Sequence, residues 1–112
     1  MTPIAIAAAL SAALAIAAGA FGAHGASGEA KGWLQTGGQY QLIHAVAVLA
    51  LLSLNPAGRL APWLLLGGSA LFAVSLYLMA LGLPRWLGAV TPVGGTVMIA
   101  GWLVAAWMFV KS

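Results

Sequence analysis

The sequence has no cysteine, a single acidic residue (Glu29) and only 4% charged residues. The missing thiols exclude disulfide-bonded scaffolds, zinc ribbons and thiol enzymes. A soluble domain carries roughly 25% charged residues, and disordered tails are poor in the hydrophobic residues that form 63% of this chain. No water-exposed surface can be built from this composition. The sequence therefore predicts an integral membrane protein.

Chain length limits the number of membrane spans. A spanning helix needs about 20 mostly apolar residues, so 112 residues hold at most four. The charged side chains separate four apolar stretches, at Glu29 and Lys31, at Arg59, at Arg85 and at Lys111. We predict an all-α, polytopic membrane protein, with four transmembrane helices in an antiparallel bundle and a single domain over residues 1–112.

Proline and hydroxyl residues mark the predicted helix starts, since proline is favoured at the first helical position and serine or threonine just before it. The start signals are Thr2-Pro3, Thr36 with Gln39 as a capping box, Ala61-Pro62 and Thr91-Pro92. The helices are predicted at about residues 3–22, 37–54, 62–81 and 92–110. Asn55-Pro56 ends the second helix.

The first apolar stretch has a second interpretation as a secretory signal peptide, with Ala18-Gly19-Ala20 as the cleavage site. No lysine or arginine precedes the stretch, whereas a signal peptide begins with a positive region. We therefore expect the first helix to remain in the mature protein, which would be a multi-pass membrane protein.

Membrane orientation is poorly determined by the basic residues. With four spans, Arg59 and Lys111 lie on one membrane face, and Lys31 and Arg85 lie on the other. The positive-inside rule therefore counts two against two. The N-terminal amine favours termini in the cytoplasm.

Small residues are predicted to hold the helices together, because lipid is as apolar as leucine and helices associate through close packing. Two adjoining stripes on the first helix have a small residue at every fourth position. One is Ala15, Gly19 and Ala23, and the other is Ala18, Gly22 and Ala26. The stripes predict a compact bundle in which the first helix is buried.

Gly94-Gly95 indicates the close approach of another backbone, which we expect to be that of the first helix.

Polar residues are concentrated where the first and third helices end and the second and fourth begin. In an antiparallel bundle all of these ends lie on one membrane face, and this asymmetry predicts a polar pocket there. The candidate ligand-binding residues are His24, Gln35, Gln39, Tyr40, Gln41, His44, Ser75, Tyr77, Thr91, Gly94 and Gly95.

His44 is the strongest single candidate in this set. Tyr40, Gln41 and His44 share one side of the second helix by their spacing. His44 is predicted roughly 10 Å from the helix start, within the apolar zone, where an ionisable side chain is a functional candidate. The alternative is a neutral histidine that only joins helices through Tyr77, Ser75 or a backbone carbonyl.

Glu29 also has two interpretations. It is a solvated loop charge beside Lys31, or the loop folds back so that the carboxylate meets the positive ends of the second and fourth helices. The same helix ends would accept an anionic ligand or a lipid headgroup.

Few other chemistries have the residues they require. Two histidines on different helices could ligate a haem, but nothing specifies the macrocycle. Two histidines and one glutamate are too few for a dedicated metal site, and no phosphate loop, serine triad or carboxylate pair is present. We expect no catalytic residue, no cofactor and no metal. Nucleic acid is not an expected partner, because a charge of +3 spread over separate loops forms no basic patch.

Five motifs, in order, resemble one family. They are Gly19-Ala20-Phe21-Gly22-Ala23-His24, Trp33-Leu34-Gln35-Thr36-Gly37, Tyr40-Gln41 with His44, Ser75-Leu76-Tyr77, and Thr91-Pro92-Val93-Gly94-Gly95 with Gly101-Trp102. Over its whole length the chain resembles the small bacterial inner-membrane proteins grouped as domain of unknown function 423, which have eukaryotic relatives. The resemblance implies a multi-pass, four-span protein of the bacterial inner (plasma) membrane without an assigned activity.

The family pattern covers most of the candidate residues. The residues it carries onto this chain are Gly22, His24, Gln35, Tyr40, Gln41, His44, Ser75, Tyr77, Thr91, Pro92, Gly94 and Gly95. The short end Lys111-Ser112 departs from the family, since it lacks the basic stretch that would fix the orientation.

Two functions follow from the predicted pocket. The first is a membrane-embedded binding or accessory protein that holds a lipid headgroup, a small molecule or a partner helix. The alternative is a small oligomeric transporter or channel in which His44 is the proton-linked or gating group. The lipid bilayer, a lipid or small-molecule ligand and a homo-oligomer are the expected partners. An enzyme that uses His24 or His44 as a base is less well supported, because the sequence offers no nucleophile.

Overall fold

The computed structural model describes residues 3–111. They form four α-helices: α1 Pro3–His24, α2 Gly28–Leu54, α3 Leu60–Ala80 and α4 Thr91–Lys111. A 3₁₀ turn, Arg85–Ala89, precedes α4. All four helices are long and apolar enough to cross a membrane. The predicted all-α, four-span architecture is confirmed, whereas the predicted cap at Thr2 lies outside the described residues.

The start of α2 differs most from its predicted position. The helix begins at Gly28 instead of residue 37, so Thr36 and Gln39 lie inside it and form no capping box. Ser27 is extended and Gly28 has a φ of 63°, which places the chain turn here. Glu29 then lies in the first helical turn, where a carboxylate interacts favourably with the helix dipole. The other three helices begin and end within two residues of their predicted bounds.

The helices pack in chain order. α1 packs along α2, α2 along α3 and α3 along α4, while α1 makes only minor contact with α3. α3 is the most buried helix, and α1 exposes much of its surface, including Leu10 at 67%. The expectation that the first helix is buried is therefore wrong, because α1 lies at one edge of the bundle and packs mainly against α2.

Small residues bring α1 and α2 close together. Apart from Ala5, the buried residues of α1 recur at alternating spacings of four and three, at Ile4, Ala8, Ser11, Ala15, Ala18 and Gly22. Such spacing is typical of helices that cross at a shallow angle. At Gly38 of α2 a Cβ atom would lie 2.9 Å from the carbonyl oxygen of Ala15, so glycine is required at this contact. The predicted stripe through Ala23 is only partly buried, since Ala23 itself is exposed.

A second close crossing joins α3 and α4. A Cβ atom on Gly94 would lie 2.5 Å from the backbone nitrogen of Phe72 and 2.7 Å from the carbonyl oxygen of Gly68. A Cβ atom on Gly68 would lie 2.8 Å from the backbone nitrogen of Met98. The backbone that approaches Gly94 is thus that of α3, not that of the first helix as predicted.

Candidate functional site

The length of α2 sets the depth of the candidate residues. α1, α3 and α4 have 21 or 22 residues, about 32 Å at 1.5 Å per residue, which matches the apolar thickness of a bilayer. α2 has 27 residues. Leu34 lies against Gly22, two residues before the end of α1, so the excess lies at residues 28–33, which extend beyond α1 and beyond the apolar zone. Residues 34–54 of α2 then cross the membrane, and His44 lies at their midpoint.

Gln41 connects three helices. Its Nε2 atom donates a hydrogen bond of 2.9 Å to Ser11 Oγ on α1, and its Oε1 atom accepts one of 2.6 Å from the hydroxyl of Tyr77 on α3. Gln41 is 2% exposed, and Ser11 and Tyr77 are also buried. Both ends of the amide are satisfied, so this cluster stabilises the packing of α1, α2 and α3.

His44 connects α2 to α4. Its Nδ1 atom lies 2.7 Å from the carbonyl oxygen of Tyr40, and Nε1 of Trp102 lies 3.0 Å from its Nε2 atom. A carbonyl group only accepts and an indole N–H only donates, so Nδ1 carries the proton and Nε2 accepts from Trp102. A second proton, on Nε2, would set two N–H donors against each other. The contact with Trp102 therefore requires a neutral imidazole.

A groove opens to the lipid beside this pair, between α2 and α4. It has a volume of about 420 Å³ and is lined by Tyr40, His44, Phe72, Gly95, Met98, Ile99 and Trp102. The Tyr40 ring packs on Phe72 of α3 with 4.9 Å between ring centroids, and His44 packs edge-on to Trp102 at 5.8 Å. The walls are mostly aromatic and aliphatic, and the polar groups lie near the middle of the spans.

Ser75 and Thr91 form a third polar contact. The two hydroxyl oxygens are 2.5 Å apart, and Ser75 also donates to the carbonyl oxygen of Phe72. Since a hydroxyl has one proton, Thr91 is the donor to Ser75. The pair joins the C-terminal half of α3 to the first residue of α4 and is not part of the groove.

Three of the residues predicted to line the pocket do not join helices in the fold. His24, Gln35 and Gln39 are exposed, and within residues 3–111 none of their side chains makes a hydrogen bond to another residue of the chain. The predicted single pocket on one membrane face is therefore divided. Gln41 with Tyr77 belongs to the buried cluster, Tyr40, His44 and Gly95 belong to the groove, and Ser75 with Thr91 stabilises the α3–α4 connection.

The charged residues at the end of α2 pair with the 3₁₀ turn. Arg85 forms a salt bridge with Glu29, and its guanidinium group lies 5.5 Å from the ring centroid of Trp33. The two charged side chains are 72% and 62% exposed. Glu29 is thus an exposed helical residue paired with Arg85. The exposed charge of the first interpretation is therefore present, but in the first turn of α2 instead of a loop and with Arg85, not Lys31, as its partner.

Sequence reasoning did not include Ser11 and Trp102 in the site. Ser11 is the only hydroxyl residue in the described part of α1, which could have marked it as a partner for a buried amide. Trp102 lies far from both ends of α4, unlike tryptophans at the membrane interface, and this position was the available signal. In residues 3–111 no group of three or more histidine, aspartate or glutamate side chains could hold a metal ion.

Comparison with known proteins identifies relatives over most of the chain. The family described as "Protein of unknown function (DUF423)" matches residues 18–95. A UPF0382 membrane protein of Haemophilus influenzae is 40% identical over 114 residues, covering 93% of this chain and 90% of its own. The UPF0382 membrane protein YwdK of Bacillus subtilis is 39% identical, covering 92% of each chain.

An Escherichia coli relative is named for its location. The UPF0382 inner membrane protein YgdD of Escherichia coli K12 is 41% identical over 105 residues, covering 85% of this chain and 79% of its own. No solved structure matches the chain.

Proposed function

The chain belongs to the DUF423 family of multi-pass membrane proteins, and we propose that it is a membrane-embedded binding protein whose ligand enters the α2–α4 groove from the lipid. The observation that carries the proposal is the His44–Trp102 hydrogen bond, a polar contact near the bilayer midplane that forms one wall of an open groove. An ionisable side chain at this depth is a functional candidate by default.

The groove favours a largely apolar ligand. Its lining is mostly aromatic and aliphatic, and its mouth is on the lipid-facing surface between α2 and α4. Concave, mainly apolar sites with a few polar groups are typical of small-molecule sites in proteins. A ligand in this groove would therefore be a lipid-soluble molecule that reaches the protein through the bilayer.

Tyr40 supplies the polar contact that such a ligand needs. Both ring nitrogens of His44 already have partners. The Tyr40 side chain is 44% exposed at the rim of the groove, and within the described chain its hydroxyl makes no hydrogen bond. A phenolic O–H in apolar surroundings gains from an acceptor. The ligand class proposed is therefore an apolar molecule with a carbonyl or ester oxygen.

A transporter or channel that uses His44 has less support. The depth of His44 favours it, since proton relays use ionisable groups within the membrane. In a single copy, however, the half of the bundle toward Asn55 is filled by a core of apolar side chains, including Ile4, Val48 and Leu65. A transport path would have to run between copies or require a large rearrangement of this core.

Native mass spectrometry of the protein released gently from its own membrane tests the proposal. We expect the wild type to retain a lipid-soluble molecule that is lost in His44→Ala and weakened in Tyr40→Phe, which keeps the ring against Phe72 but removes the hydroxyl. The matched control is Trp107→Phe, a 61% exposed tryptophan of α4 outside the groove, which should retain the molecule.

Two results would contradict the proposal. In one, no variant and no wild-type sample retains a molecule under conditions that keep annular lipids bound. In the other, His44→Ala retains the same molecule as the wild type while both elute as folded protein on size exclusion. The second result would make the His44–Trp102 pair a contact that only joins α2 to α4.

Association of copies is compatible with this groove. The homo-oligomer expected from the sequence would leave the groove open if copies meet on the outer face of α2, because that face points away from α4.

A further inference from the structure

Two hydroxyl side chains on the exposed surface of the bundle are satisfied within their own helix. Ser53 on α2 donates to the carbonyl oxygen of Leu49, and Thr96 on α4 donates to that of Pro92. Both are hydrogen bonds to the preceding turn of the same helix, so these hydroxyls need no partner from outside the chain.

Gln35 and Gln39 of α2 are not satisfied in this way. Both are exposed residues of α2, one turn apart, and within residues 3–111 neither amide has a hydrogen-bond partner. The stem of Gln35 borders α1, since a Cβ atom on Gly22 would lie 3.2 Å from its Cγ atom, whereas Gln39 has no such neighbour among the glycine contacts of α1. The bond to the preceding turn is characteristic of short side chains such as serine and threonine, and neither glutamine makes it. Each amide therefore presents free donors and a free acceptor to whatever covers this face.

The two amides lie at different depths in the membrane. Gln35 lies near the edge of the apolar zone, where water and lipid headgroups can reach it. Gln39 lies ~6 Å deeper, at 1.5 Å per residue, with its Cα ~7.5 Å below residue 34. An amide in hydrocarbon without a partner costs several kcal/mol. Acyl chains offer it no hydrogen bond, whereas the amide or backbone of another protein helix at the same depth would supply both a donor and an acceptor.

The spacing along this face matches helix-to-helix packing. Exposed residues recur at the spacings of a heptad repeat: Gly32, Gln39, Val46 and Ser53 are seven residues apart, and Gln35 and Leu49 lie three residues after Gly32 and Val46. This set is called the outer seam. Its ends are small residues, and a Cβ atom on Gly32 would meet no atom within 4 Å, so packing within the chain does not explain the glycine. A heptad-spaced seam with a polar residue is typical of parallel helix pairs.

We propose that the occupant of the outer seam is a second copy of this chain, packed through α2 so that the two Gln39 amides bond to each other. An amide is both donor and acceptor, so it is complementary to itself across a two-fold axis. Copies inserted in the same orientation are related by an axis along the membrane normal. Their α2 helices are then parallel and their Gln39 residues lie at equal depth.

Cysteine cross-linking in the native membrane tests this pairing, since the chain has no cysteine of its own. Gly32→Cys places a thiol on the outer seam, one heptad from Gln39 and at the level of the headgroups. Val93→Cys, at a 54% exposed position near the start of α4 on the same membrane face, is the matched control. At matched, low expression we expect oxidation to give a disulfide-linked dimer of Gly32→Cys and little dimer of Val93→Cys.

The second step tests the amide itself. Adding Gln39→Leu to Gly32→Cys keeps the helix apolar and inserted but removes the hydrogen bonds, and we expect the dimer yield to fall roughly fivefold. Adding Gln35→Leu instead should change the yield less, because Gln35 is near the headgroups.

Three outcomes would overturn the proposal. The first is no dimer from Gly32→Cys, which would indicate lipid or a different protein on the seam. The second is an equal yield from Val93→Cys, which would indicate random collision. The third is an unchanged yield with Gln39→Leu. None of these results bears on ligand retention in the groove, so the proposed function is tested separately.

Discussion

The close crossing of α3 and α4 gives the sharpest test of the fold, through Gly94→Ala. The added methyl group would lie 2.5 Å from the backbone nitrogen of Phe72 and 2.7 Å from the carbonyl oxygen of Gly68. Carbon atoms in good contact lie about 3.5–4.0 Å from their neighbours. Both clashing atoms belong to the backbone, so no side-chain rotation relieves the overlap, and the helices must separate by roughly 1 Å.

The expected cost follows from two opposing effects. Overpacking costs about 1–3 kcal/mol, and a backbone clash belongs at the upper end of that range. Alanine is better than glycine in a helix by about 1 kcal/mol, which offsets part of the cost. We therefore expect Gly94→Ala to lower the free energy of unfolding by about 1–2 kcal/mol.

The adjacent residue provides the control. At Gly95 a Cβ atom would meet only Cδ1 of Phe72, at 3.9 Å, which is an ordinary contact. Gly95→Ala should therefore gain up to about 1 kcal/mol of helix propensity. The two variants should differ by about 2–3 kcal/mol, or roughly 8–12 °C in Tm for a chain of this size, measured by thermal unfolding in lipid nanodiscs. Equal Tm values, or a more stable Gly94→Ala, would refute the close crossing.

Three further outcomes are expected. Tyr77→Phe leaves the Gln41 oxygen without its donor and should cost about 1 kcal/mol in the same unfolding assay; Tm unchanged from the wild type would contradict the Gln41 cluster. Glu29→Gln breaks an exposed ion pair with Arg85 and should change stability by less than about 0.5 kcal/mol, a larger loss being evidence that the pair is shielded from water. With the termini in the cytoplasm, an impermeant maleimide should label Ser112→Cys only after spheroplasts are permeabilised, and labelling of intact spheroplasts would place them outside.

The spans could be predicted because they depend on composition alone. Charged residues are too few to face water anywhere but at the helix ends and in the connections, and the length of the chain limits the number of helices. The start of α2 could not be predicted in this way. Thr36 with Gln39 is a valid capping pattern, but residues 28–36 are also compatible with a helix. The turn at Gly28 depends on a positive φ, which glycine permits but which its presence in the sequence does not predict.

The sequence predicted which types of residue would form the candidate site, but in the structure these residues belong to separate contacts. Tyr40, Gln41 and His44 share one broad side of α2, but that side touches α1, α3 and α4 together. Gln41 and His44 point in different directions because each residue of a helix is rotated by about 100° from the one before it. Gln41 therefore bonds to Ser11 and Tyr77, and His44 bonds to Trp102. Periodicity locates the side, and only the packing order of the helices assigns the partners.

The early start of α2 changes what the site can do. With a start at residue 37, His44 would lie roughly 10 Å below the interface, within reach of water and of an anionic headgroup. With the start at Gly28, His44 lies at the midpoint of its span and the groove beside it opens to acyl chains. A water-soluble anion would have to cross about 15 Å of hydrocarbon to reach it. The ligand that this groove can select is therefore one already dissolved in the bilayer, which is why its test is retention of a lipid-soluble molecule.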